Sequence, residues 1–224
     1  MTTEDVYEGI SIANHYPNDL KSIGLHVIPN FISNQEEHDL MEFLDSQKWN
    51  GLGIAPNPEL KRRTQQYGYL FSYRYRQIQS DQTQLPEPFL PLLSKFNAHK
   101  YYLQNQYNHL VINEYEKNQG IMPHIDAPKI FGDTIASLSM LSDCVMTFTE
   151  KQDESIEYKV HLPRYSVIVM TGYCRYKLKH SISKNDQDKI DDLIIDRSRR
   201  VSITFRQVLP LETKNSSSNI DSME

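Results

Sequence analysis

The segment that most constrains the fold is Arg199-Arg200-Val201-Ser202-Ile203-Thr204-Phe205-Arg206-Gln207-Val208. Val201, Ile203 and Phe205 alternate with Arg200, Ser202, Thr204 and Arg206, and only an extended chain sends successive side chains to opposite faces. One face is wholly apolar, and the other offers two guanidiniums and two hydroxyls. A helix would scatter these groups around its circumference, so the segment requires a sheet. Two readings of the polar face stand side by side. It is the solvated side of an edge strand, or it is the wall of a pocket for a small dicarboxylate. Arginine suits the second role, because its planar fork meets a carboxylate through two parallel hydrogen bonds.

Other residues at strand spacing precede it. Leu110-Val111-Ile112-Asn113-Glu114-Tyr115 is an apolar run that turns polar, with Asn113 and Tyr115 on one face as neutral donors for the same anion. After a turn signalled by Asn118-Gln119-Gly120 come His124 and Asp126, again two apart. His180 follows the apolar strand Ser166–Thr171 and a turn at Gly172. Two histidines and one carboxylate form a facial triad, which leaves the opposite side of an iron(II) ion open. Alone, a His-x-Asp pair arises readily by chance, and a lone histidine is more often a core or surface residue than a ligand. The order Asn-x-Tyr, His-x-Asp, His, Arg-x5-Arg is what gives these residues weight together.

These segments resemble the AlkB family of iron(II)/2-oxoglutarate-dependent dioxygenases. The likeness is carried by Ile112–Tyr115, Gly120-Ile121-Met122-Pro123-His124-Ile125-Asp126, Ser137-Leu138-Ser139, Tyr173 to His180 and Arg200 to Arg206, and it runs from about Leu25 to Val208. Two branches are most similar: the tRNA wobble-uridine hydroxylases, and a small, poorly characterised standalone branch that shares Gly-Ile-Met-Pro-His. The resemblance implies a mainly β fold, a double-stranded β-helix (jelly roll) with N-terminal helices and a substrate lid. It implies that His124, Asp126 and His180 bind Fe(II), and that Asn113, Tyr115, Arg200, Ser202 and Arg206 hold 2-oxoglutarate. Ser202 stands where several members carry Asn, which weakens one hydrogen bond to the co-substrate. The expected chemistry consumes O2 and releases succinate and CO2 while a substrate C–H bond is oxidised, giving hydroxylation or oxidative demethylation.

The family's lid coincides with Tyr67-Gly68-Tyr69, inside a tyrosine-rich stretch flanked by Lys61-Arg62-Arg63 and Arg74-Tyr75-Arg76. Basic residues interleaved with aromatics grip a backbone and stack a splayed base. Tyr69 is the expected base contact, with Tyr67 beside it and Arg63 and Arg74 as phosphate contacts; the plain alternative is a solvated hairpin with ordinary surface cations. A nucleic-acid substrate, RNA or tRNA, is therefore expected, although the net charge of −5 runs against it and suits a protein side chain better. A non-catalytic iron or 2-oxoglutarate sensor is the least favoured reading, given an intact triad and both arginines. The wobble-uridine hydroxylases carry an RNA-recognition motif and a methyltransferase in the same chain. This sequence holds neither, so that activity would call for a methyltransferase partner in trans.

A chain of 224 residues accommodates one catalytic domain, expected over 15–210, with a flexible tail at 1–14 and a disordered tail at 211–224. Cys144 and Cys174 lie in apolar or aromatic surroundings, which suits buried free thiols and a reducing compartment. With no apolar leader and no membrane-length segment, an intracellular enzyme of cytoplasm or nucleus, without a membrane partner, is expected. Ser33-Asn34-Gln35-Glu36 is a capping box that starts a helix with Leu40, Phe43 and Leu44 on its apolar stripe. Trp49, beyond that helix, is expected to pack. A second helix is predicted over Glu87 to Lys95, and Ile135 to Thr149 should split around Ser142-Asp143. Lys184 to Ser198 reads as an exposed, partly helical insertion able to touch substrate.

Overall fold

The computed structural model describes residues 20–98 and 107–210; both expected tails lie outside the described residues. The alternating segment forms β14 (Arg200–Arg206), which is central rather than an edge. It lies between β7 (Ile135–Met140) and β5 (His109–Tyr115) in a six-stranded antiparallel sheet. That sheet continues through β10 (Val167–Met170) to β1 (Leu25–Ile28) on one side and ends at β2 (Thr64–Tyr67) on the other. Every residue of β14 is buried, so its polar face has no bulk solvent to meet. The solvated-edge reading fails for that reason.

Register decides which side chains share a face. Arg200 lies opposite Tyr115, Ser202 opposite both Asn113 and Ser139, and Thr204 opposite Ser137. The polar sets therefore fall in one patch on a single sheet face. The apolar partners Leu110, Ile112, Leu138, Val201, Ile203 and Phe205 occupy the other face. They pack beneath α1 (Asn34–Ser46) and α2 (Leu90–Ala98), which a 3-10 turn over Glu87–Phe89 introduces. The capping box forms as expected: Ser33 Oγ accepts from Glu36 N at 3.2 Å, and Ser33 N donates to Glu36 Oε2 at 2.8 Å. Such a cap contributes about 0.5–2 kcal/mol. Leu40 and Leu44 are buried under it, and Trp49 packs as expected, beneath the Arg63 guanidinium.

The second sheet has the order β6-β11-β8-β9, formed by Ile121–His124 (β6), Leu178–Ile182 (β11), Cys144–Glu150 (β8) and Glu157–Leu162 (β9). Its Met146, Phe148, Val160 and Leu178 meet Ile135, Ile168 and Met170 of the large sheet, closing a jelly roll around a second core. Cys144 and Cys174 are buried free thiols there. The turn before β6 needs glycine at 120: a Cβ would lie 2.3 Å from the Ile182 carbonyl oxygen and 2.4 Å from that of Ser183. Without that close approach β6 cannot lie against β11.

The polar segment after β11 is a hairpin of β12 (Gln187–Ile190) and β13 (Leu193–Asp196), not a partly helical insertion. Its buried Asp188 accepts from Val145 N at 2.9 Å and pairs with Arg197, whose Nη2 donates to the Gln119 carbonyl at 3.0 Å. Two short strands, β3 (Phe71–Ser72) and β4 (Gln77–Ile78), form a separate hairpin at the open end of the large sheet. Among the described residues no helix is long and apolar enough to cross a membrane.

Candidate active site

Because β6 and β11 are antiparallel neighbours, His124 and His180 lie directly opposite one another, ring centroids 4.2 Å apart. Asp126 follows β6 and places its Oδ1 3.8 Å from His124 Nε2. One ligand atom from each of the three residues lies within 4.8 Å of the others. The His124 Nδ1 sits 2.8 Å from the Met122 carbonyl, which only accepts. Nδ1 thus carries the proton and Nε2 keeps a free lone pair, the arrangement a metal-binding imidazole needs.

Electrostatics keeps the three ligand-ready. Burial pushes His180 down to about 3, with His124 adding to the effect. Burial likewise lowers His124, against the opposing pull of Asp126. For Asp126, burial alone would favour the neutral acid, but Arg206 and the two histidines hold the carboxyl at about 2. Arg206 Nη2 donates to Asp126 Oδ1 at 2.8 Å, while the buried Oδ2 has no hydrogen-bond partner. A buried carboxylate oxygen without a donor is costly unless something else satisfies it, and a divalent cation does so.

The polar face of the large sheet opens into a narrow inner cavity behind the triad, lined by Asn113, Tyr115, Ser202, Arg200, Arg206 and His180 among others. Arg200 is fully buried; Nη2 donates to Ser139 Oγ at 2.7 Å, and Nε and Nη1 have no partner. Arg206, over the ring of Phe131 at 4.7 Å, likewise leaves Nε and Nη1 unpaired. Four buried guanidinium nitrogens facing no acceptor describe the socket of a dianion, not of a neutral ligand.

A second, outer chamber of about 290 Å³ adjoins the inner cavity, sharing Ile121, His124 and Arg206 with it. Arg62, Tyr73, Arg76 and Met122 line it, and His124, Asp126 and Arg206 form its floor. The β3–β4 hairpin is fixed there by Phe71, whose ring lies 5.3 Å from that of Phe131.

The four lid residues expected from the sequence do not converge on this chamber. Tyr67 points to the helical side, its ring 5.0 Å from Phe89 and its hydroxyl donating to Gln65 Oε1 at 2.8 Å. Arg63 is committed to Glu114 in a bidentate pair and stacks over Trp49 at 4.9 Å. The reason is parity: Thr64 lies opposite Asn113, so Tyr67 takes the face opposite the inner cavity, and Arg63 pairs with Glu114 rather than with Asn113. Tyr69 is half-buried, donates to Gln82 Oε1 at 3.1 Å, and packs at the edge of the second core. Arg74 is exposed in the turn between β3 and β4. The residues that do line the chamber are their near neighbours Arg62, Tyr73 and Arg76. Counting in twos back from Thr64 would have picked Arg62 over Arg63.

Arg175 was not foreseen either. Buried in α3 (Gly172–Lys177), it donates to the carbonyls of Asp126 at 2.8 Å, Gly132 at 3.1 Å and Phe131 at 3.2 Å. It closes the loop that carries the carboxylate of the triad. No spacing rule reveals an arginine whose partners are all backbone oxygens.

A jelly roll with a facial His-Asp-His set, a guanidinium-lined dianion socket behind it and an open chamber in front defines an iron(II) and 2-oxoglutarate-dependent oxygenase. The sequence agrees: the model of the 2OG-Fe(II) oxygenase superfamily matches residues 11–206, and the chain belongs to that family. Its members use Fe(II), 2-oxoglutarate and O2. Its relatives are AlkB proteins. It is 33% identical over 214 residues to the alkylated DNA repair protein ALKBH8 homolog of Arabidopsis thaliana, covering 85% of this chain and 60% of that protein. It is 33% identical over 204 residues to the tRNA (carboxymethyluridine(34)-5-O)-methyltransferase ALKBH8 of Mus musculus, covering 83% of this chain but 30% of the relative. The chain thus spans less than two thirds of either. The solved structure of OsALKBH1 superposes with a TM-score of 0.59 at 15% identity, covering 82% of this chain and 98% of that one, a likeness of fold.

Proposed function

We propose that this chain oxidises a carbon on a nucleic-acid base, in RNA and most simply tRNA, by hydroxylation or oxidative demethylation with release of succinate and CO2. The observation that carries this reading is the pair of chambers meeting at one triad. The inner one is closed and cationic, and the outer one is open, with Tyr73, Arg62 and Arg76 on its wall. His124, Asp126 and His180 hold Fe(II), the donor set offering two neutral nitrogens and one anionic oxygen. When bound, the metal with its co-substrate supplies the oxidising power for the C–H bond.

The protein's part is placement and exclusion. Arg200 and Arg206 take the carboxylates of 2-oxoglutarate, with Asn113, Tyr115 and Ser202 as neutral neighbours on the same wall. That wall is buried, so each charged hydrogen bond acts at a dielectric below that of water. The hairpin β3–β4 shields the outer chamber, and Tyr73 offers a π-face to an extruded or single-stranded base. Arg74, on the exposed turn, and Tyr69, behind it, remain the hairpin's candidates for contact with the strand outside. The mouse relative's methyltransferase name supports pairing of this activity with a methyltransferase.

Nucleoside mass spectrometry tests the reading. Bulk tRNA from cells lacking the gene is incubated with the protein, Fe(II) and 2-oxoglutarate. A nucleoside gaining one oxygen, or losing one methyl group, is the expected result. An unchanged nucleoside profile alongside 2-oxoglutarate turnover would overturn the nucleic-acid assignment and turn the search to protein side chains.

A further inference from the structure

The outer chamber holds a charge that nothing in the reaction's known components balances. Arg62 is only 8% exposed, yet among the described residues no carboxylate pairs with it. Its Nε donates to Asn113 Oδ1 at 2.8 Å, and its guanidinium lies 5.7 Å from the centre of the Tyr115 ring. These contacts orient the fork while leaving its two Nη groups for the outer chamber that it lines. Arg76 and Arg206 line the same chamber, and the sole carboxylate there, Asp126, is bonded to Arg206. Adding a divalent metal and a dianionic co-substrate leaves that excess of positive charge unchanged. Asn113 and Tyr115 stand between Arg62 and the inner cavity that they line, so a co-substrate held there would not pair with it directly. A chain with a net charge of −5 nevertheless keeps this cation on the chamber wall without a carboxylate partner.

Taking the outer chamber as the substrate site, as the proposed function does, we propose that Arg62 is an oxyanion reader. The substrate presents a carboxylate or phosphate oxygen to its guanidinium beside the carbon that is oxidised. Two sources share this chemistry: an acidic substituent on the base, or a backbone phosphate next to it. A neutral methylated base with no oxyanion within reach would displace solvent from the guanidinium without offering it an acceptor, and would be a poor substrate.

The test uses the 224-residue chain loaded with Zn(II) and saturated with 2-oxoglutarate, observed through 15N NMR of arginine Nε–H groups. The Arg62 resonance is identified as the one lost in Arg62→Gln. Acetate and inorganic phosphate are titrated first, because their binding does not depend on any assumption about nucleic acid. Displacement of the Arg62 resonance by either ion supports the proposal. An Arg62 signal that neither moves overturns it, whatever the nucleoside assay gives. Uridine, uridine 5′-monophosphate and uridine-5-acetic acid follow, with affinity read by calorimetry. The acid-bearing ligand should bind at least about ten-fold tighter than uridine, and that preference should vanish in Arg62→Gln. Whichever acid carries the gain identifies the source. Arg62→Lys keeps the charge and should retain part of the preference, guarding against a folding artefact. A preference undiminished in Arg62→Gln, or a larger loss of 2-oxoglutarate affinity than of oxyanion affinity, assigns Arg62 to another task and refutes the proposal.

Discussion

Arg200→Met asks whether the inner cavity is a dianion socket. In the ligand-free protein Arg200 is fully buried with one hydrogen bond, to Ser139, and two unpaired nitrogens. Replacing buried ion pairs by apolar side chains stabilises by about 1–4 kcal/mol, a scale that serves for this lone buried cation, and stranding the Ser139 hydroxyl costs about 1–3 kcal/mol. The two nearly cancel, so the melting temperature of the ligand-free variant should stay within a few degrees of the parent. Ligand linkage should behave quite differently. At 100 times its dissociation constant, 2-oxoglutarate adds about 2.7 kcal/mol to the parent, a rise of roughly 5–11 °C for a chain of this size. Losing a two-bond charged fork costs about 3–6 kcal/mol of binding. At the same concentration the variant is then at best half-saturated, gains no more than about 0.4 kcal/mol, and its melting temperature rises by less than about 2 °C.

The assay is thermal unfolding of both proteins with Zn(II), across a 2-oxoglutarate titration. A variant that keeps the full ligand-induced rise would refute the socket. A ligand-free variant that melts ten degrees lower would show instead that Arg200 is there for folding.

Three other outcomes are expected. His124→Ala and Asp126→Ala should each abolish succinate formation and metal uptake by equilibrium dialysis; turnover at the parental rate would sink the metal assignment. Arg175→Met removes all three bonds to the loop between Asp126 and Gly132 and should weaken Mn(II) binding by about 10–100-fold, with Arg175→Lys intermediate; unchanged metal affinity would make Arg175 a packing residue only. In the metal-free protein, burial holds His109 and His180 at about 3, far below the unfolded value near 6.5, so the unfolded chain binds more protons between those limits. Stability is therefore full above about pH 6.5 and falls with acidification, by about 1.4 kcal/mol per pH unit for each histidine well inside that window. Urea midpoints from pH 7 to 4.5 check this, and His109→Gln should reduce the slope; identical midpoints across the range would contradict the burial of both rings.

Much of this site was legible because sheets translate sequence parity into geometry. Arg200, Ser202 and Arg206 share a face by count alone, and one register brings Asn113 and Tyr115 beside them. His124 and His180 were legible only as an ordered pair; that they meet across one β ladder depends on the close approach at Gly120, which no spacing encodes. Lys184 to Ser198 is largely exposed as expected, but it pairs as the strands β12 and β13 instead of a helix, because the buried Asp188 and Arg197 tie the run to β8 and the Gln119 carbonyl. Arg175 stayed hidden because its acceptors are carbonyls, which every residue owns.

The lid shows how far a one-residue error carries. Arg62 and Arg63 are identical in kind and adjacent in sequence, yet one enters the outer chamber while the other is spent on Glu114 and Trp49. Family likeness marked the segment, and likeness of composition cannot choose between the two faces of a strand. The same error bears on charge. A net −5 counts against nucleic acid only if charge is spread evenly, and here it is not. Glu114 takes up Arg63 and Arg199, and Asp45 takes up Arg199 as well, on the far side of β5. Arg62, Arg200 and Arg206 face inward with one carboxylate among them. The acidic surface and the cationic interior are thus two consequences of one alternation, and the selectivity proposed for an anionic substrate rests on the interior, where screening by salt is weakest.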